Sequence, residues 1–78
     1  MNKDVGFFSS SDLSESSFLY ASGKRLLKTE KLYGKITFFF EDKIACEKLS
    51  SSYWSKEAKV NAKEFADSIR TLKDMIFR

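Results

Sequence analysis

The chain has no histidine, one cysteine (Cys46) and three glycines, and each scarcity removes a class of chemistry. Without histidine there is no general base for a Ser-His or Cys-His nucleophile. A zinc site needs several Cys or His ligands, which a lone cysteine cannot supply. One cysteine also excludes a disulfide within the chain and suits a reducing compartment. It falls on the predicted buried side of a helix, where it reads as a small core hydrophobe. The glycines stand apart at Gly6, Gly23 and Gly34, so no glycine-rich loop can cradle a phosphate. Long apolar runs are missing too. None approaches the ~18 residues that would span a bilayer. The start, Met1 to Phe8, lacks the apolar stretch of a signal peptide and meets Ser9-Ser10-Ser11 at once. The expectation is a cytoplasmic protein with no membrane segment, no cofactor and no metal.

What is abundant is aromatic. Eight Phe, three Tyr and one Trp among 78 residues are a large apolar supply for a chain expected to form a single domain, 1–78. A domain this small buries only about 60% of its unfolded surface. With disulfides and metals excluded, good packing or self-association must supply its stability. The formal charge of +3 is mild, but it is unevenly spread. Residues 24–35 carry Lys24, Arg25, Lys28, Lys31 and Lys35 against Glu30 alone, so the basic excess peaks in one short segment.

The pattern predicts six elements. Val5-Gly6-Phe7-Phe8 reads as a short strand. Asp12 caps a mostly one-sided helix over 13–22, with Glu15 at capping-box spacing and Gly23 as its stop. Strands at 25–31 and 35–41 flank Tyr33-Gly34, where glycine supplies the positive φ of a tight hairpin. In the second strand Ile36, Phe38 and Phe40 share one face, and Thr37, Phe39 and Glu41 the other. Either both faces are covered or Phe39 is exposed. Asp42 caps a helix at 43–54 with Ala45, Cys46, Leu49 and Tyr53 at helical spacing. Asn61 and Glu64 start a third helix, with Val60 and Phe65 as a hydrophobic staple. Phe65, Ile69, Leu72 and Ile76 form its core stripe, with Ala62 and Ala66 beside it. The expected fold is α+β: a small antiparallel sheet, built from the hairpin and a short N-terminal strand, packed with three helices in the order β-α-β-β-α-α.

The motifs along the chain are Ser11-Asp12-Leu13, Leu19 to Gly23, Phe38-Phe39-Phe40-Glu41-Asp42, Tyr53-Trp54, Val60-Asn61, Phe65-Ala66 and Leu72-Lys73-Asp74-Met75-Ile76. Together they resemble a family of short phage, prophage and bacterial proteins known only as a domain of unknown function. The resemblance runs from about residue 9 to 77. It departs at Ser16-Ser17, where the family favours a pair of small alanines. It implies no activity, but it points to an accessory protein of a mobile element.

Two functional readings stand. In the first the protein is not an enzyme and binds nucleic acid. Lys24, Arg25, Lys28, Lys31 and Lys35 line a β-ribbon that neutralises phosphates, and Tyr33 or Phe39 stacks on an unpaired base. The plain alternative is a lysine-protected edge strand. In the second the chain is a protein-interaction module, a homodimer or an inhibitor of a host protein, using Phe39, Trp54 or a strand edge. A nuclease-like set, Asp12 with Glu41-Asp42-Lys43, could hold Mg²⁺, but helix caps explain both aspartates.

Overall fold

The computed structural model describes residues 6–77. Its elements are β1 (Phe7–Ser10), α1 (Leu13–Ala21), β2 (Leu26–Leu32), β3 (Lys35–Glu41), α2 (Lys43–Trp54) and α3 (Ala62–Ile76). The sheet is antiparallel in the order β1-β3-β2. The α+β order β-α-β-β-α-α is as the sequence predicts.

The first strand lies further along the chain than expected. It runs through Ser9 and Ser10, whereas Gly6 lies outside it and Val5 falls outside the described residues. Serine clusters usually break strands, but both serines here find partners. Ser10 pairs with Phe38 across the ladder and donates from Oγ to Glu15 at 2.6 Å. Ser9 pairs with Phe39.

The three predicted caps are all present. Asp12, Asp42 and Asn61 accept from the backbone N–H groups of Glu15, Ala45 and Glu64 at 2.7, 3.2 and 3.0 Å. These bonds satisfy N–H groups that helix geometry leaves without a partner. Helix α1 ends in a Schellman motif. Gly23, at φ 91°, donates to the Tyr20 carbonyl, and Lys24 donates to that of Leu19. Helix α2 ends in the same way at Lys56, which holds φ 68° without being glycine. Its N–H bonds the Tyr53 carbonyl, and that of Glu57 bonds Ser52.

The core forms where the helices meet one face of the sheet. Phe18, Leu19, Phe38, Phe40, Cys46 and Leu72 are buried together, with Phe8, Leu26, Ile36, Leu49, Tyr53, Phe65 and Ile76 packed around them. The staple residues Val60 and Phe65 both reach this core. Helix α1 is not one-sided. Glu15 to Leu19 are buried consecutively, because α1 lies among β1, α2 and α3. In α3 the expected small flank is reversed: Ala62 and Ala66 are exposed and Ser68 is buried.

Candidate functional site

Side chains alternate across a strand, so the face opposite the core carries Phe7 and Ser9 of β1 and Lys35, Thr37, Phe39 and Glu41 of β3. Cross-strand partners share a face, which adds Lys28, Glu30 and Leu32 of β2. None of these residues belongs to the core. Phe39 is half-buried by its neighbours on this face. Phe7 meets it edge-on at 5.5 Å between ring centroids, and the Lys28 ammonium lies 5.0 Å from its ring centre. That contact is a cation–π arrangement. Ser11 and Thr37 join their hydroxyls at 2.9 Å nearby.

The basic segment does not present one uniform stripe. An irregularity at Leu27 shifts the register of β2 between Leu26 and Lys28. Beyond it, Lys28 shares the open face with Lys35, while Lys31 pairs with Ile36 and leaves from the helix side. Several cations also have carboxylate neighbours. Lys28 bonds Glu30 at 2.8 Å, Arg25 lies 4.0 Å from Glu41, and Lys24 lies 4.0 Å from Asp42. Exposed pairs of this kind are weak and screened by salt, so their cations can exchange partners.

Tyr33 occupies the hairpin tip and is 98% exposed. It and Gly34 hold φ values of 54° and 78°, the left-handed pair of a type I′ turn. Such a turn favours Asn or Gly at the first position, and a bulky side chain there costs about 1 kcal/mol. Trp54 is exposed on its ring, but its Nε1 donates to Glu15 Oε2 at 3.0 Å and its ring meets Tyr53 edge-on.

Glu15 is the polar residue that the sequence pattern misassigns. Capping-box spacing turns its side chain back to the Asp12 N–H, but that donor bonds Ser10 Oγ. The Glu15 carboxylate is buried and accepts from Ser10, Ser50 and Trp54 instead. Thus it ties β1, α1 and α2 together. Donors 35 and 39 residues away leave no local signal.

The acidic set does not converge on a metal-binding geometry. Asp12 and Asp42 serve as caps, and no group of three or more potential metal ligands occurs among the described residues. Cys46 is fully buried, donates weakly to the Glu41 carbonyl, and has its thiol pKa raised chiefly by burial. No helix of the described residues is long and apolar enough to cross a membrane.

The family model described as "Domain of unknown function (DUF5659)" matches residues 7–78. No curated protein matches the chain. No solved structure matches it either.

Proposed function

The chain belongs to this family of unknown function, and from that premise we propose that its open sheet face binds single-stranded nucleic acid without catalysing a reaction. The observation that carries the reading is the Phe7–Phe39 pair on the helix-free face, with Lys28 beside the Phe39 ring. Aromatics on an antiparallel sheet offer stacking platforms for unpaired bases, and neighbouring cations meet the phosphates. Arg25, Lys28 and Lys35 supply those charges, and Tyr33 extends the platform at the hairpin tip. Lys24 and Lys31 lie off this face and add only long-range attraction. A double helix fits less well, because Glu30 and Glu41 interrupt the basic surface.

A non-enzymatic role agrees with aspartates occupied as caps and a cysteine sealed in the core. On this reading the protein is a cytoplasmic accessory protein of a phage or mobile element.

The test is binding of labelled single-stranded and duplex oligonucleotides across a salt series. Single strands are expected to bind more tightly, with log affinity falling by about 0.7 per phosphate contact for each unit of log salt. Phe39→Ser should weaken single-strand binding by about fivefold to a hundredfold, the worth of one stacked base. Lys28→Gln should flatten the salt slope. Absence of binding at low salt would end this reading.

A further inference from the structure

The two edges of the sheet are β1 and β2. Strand β2 is the longer, running from Leu26 to Leu32, and most of its residues are exposed. An edge of this length presents unpaired backbone groups and is a template for another strand. We propose that β2 pairs antiparallel with β2 of a second copy of the chain, on a two-fold axis at Thr29. This does not rest on the nucleic-acid reading.

Register carries the argument. A two-fold axis through an antiparallel strand pair sets each residue opposite a partner at equal distance from the axis. An axis at Lys28 sets Lys28 against itself. At Glu30 it sets two carboxylates together, and at Lys31 two ammonium groups. An axis at Thr29 sets Lys28 against Glu30 of the second copy, twice by symmetry, with Thr29 facing Thr29. Opposite charges and Thr–Thr pairs are favourable cross-strand partners, whereas like charges directly opposite are not. Lys28 and Glu30 already meet at 2.8 Å within one chain, so the same groups need only exchange partners.

The backbone agrees with this axis. In a two-residue hairpin the residues flanking the turn, Leu32 and Lys35, form a hydrogen-bonded pair. Alternation then turns the N–H and C=O groups of Lys31 and Thr29 outward. Thr29 therefore sits on the axis with both groups free to bond its symmetry mate. Lys28 and Glu30 fall in the non-hydrogen-bonded pairs, where side chains approach more closely. Leu27, 47% exposed, and Met75, 37% exposed, flank Thr29 along a shallow groove and add apolar surface at the margin.

The test is the mass of the full chain by sedimentation equilibrium, without nucleic acid. A concentration-dependent dimer is expected. Lys28→Glu and Glu30→Lys should each raise the dissociation constant about tenfold or more, as two attractive pairs become repulsive. Mixing these two variants should restore the dimer, because each then supplies the charges that the other lacks. Thr29→Pro removes the outward N–H but spares the β3 ladder, so it should give a folded monomer by circular dichroism. A wild-type chain that stays monomeric up to about 1 mM overturns the proposal. So does a dimer whose dissociation constant the charge reversals leave unchanged, or one that mixing fails to restore.

Discussion

Trp54 donates its indole N–H to Glu15 at 3.0 Å across 39 residues of chain. The bond fixes the end of α2 to the start of α1. Glu15 also accepts from Ser10 and Ser50, so a buried carboxylate is held by three neutral donors.

Glu15→Ala should therefore cost about 2–3 kcal/mol, since hydrogen bonds to a charged group are strong and the buried Ser10 hydroxyl would keep only a 3.4 Å contact to the Asp12 carbonyl. Trp54→Phe should cost about 1 kcal/mol, because its ring is exposed and only one bond is lost. Urea denaturation checks both. A Glu15→Ala midpoint equal to wild type would mean that the three contacts contribute nothing.

Phe38→Ala should cost about 3–5 kcal/mol, the usual loss for a buried phenylalanine. Phe39→Ala should cost clearly less. Phe38 is 2% exposed within the core, whereas Phe39 is only half-buried on the helix-free face, with Phe7 and Lys28 against its ring. Equal losses at the two positions would show that something covers the open face.

The hydroxyls of Ser16 and Ser17 are buried without a hydrogen-bond partner. Replacing each serine with alanine removes a desolvated polar atom and improves helix propensity. Ser16→Ala and Ser17→Ala should each stabilise the fold by about 1 kcal/mol, read as a higher melting temperature. Destabilisation would show that the hydroxyls do find an acceptor.

Burial raises the Cys46 thiol pKa above its ordinary 9.0, and the Lys24 charge offsets this only in part. The folded state thus holds the thiol proton more tightly than the unfolded chain does. This contribution is complete below pH 9.0 and is lost as pH rises through the folded value. Stability should decline above that pH in wild type and decline less in Cys46→Ala. Parallel pH profiles would remove Cys46 as the cause.

Much of the fold is legible in short-range chemistry. Asp12, Asp42 and Asn61 announce their helices because a cap needs only residues three positions away. Ile36, Phe38 and Phe40 announce the core face because strand alternation is local. The site is less legible. Leu26 and Lys28, two positions apart, take opposite faces only because β2 has an irregularity at Leu27, which no residue type in Leu26-Leu27 marks. Phe7 joins Phe39 only once β1 pairs with β3. The same long range hides the partners of Glu15, and Trp54 looks free in the sequence while its indole nitrogen is already bonded.

The central place of β3 bears on how the chain assembles. Its link to β2 is a two-residue turn, the kind of local closure that forms in about microseconds. Its link to β1 spans all of α1 and β2, so it carries the entropy of a long loop. The hairpin is thus expected to form early and the first strand to dock late. Once docked, β3 has hydrogen-bonded neighbours on both sides, so its amides should exchange with solvent only when the whole domain opens. In the monomer the outward amides of β2 should exchange first, and pairing with a second copy should slow them.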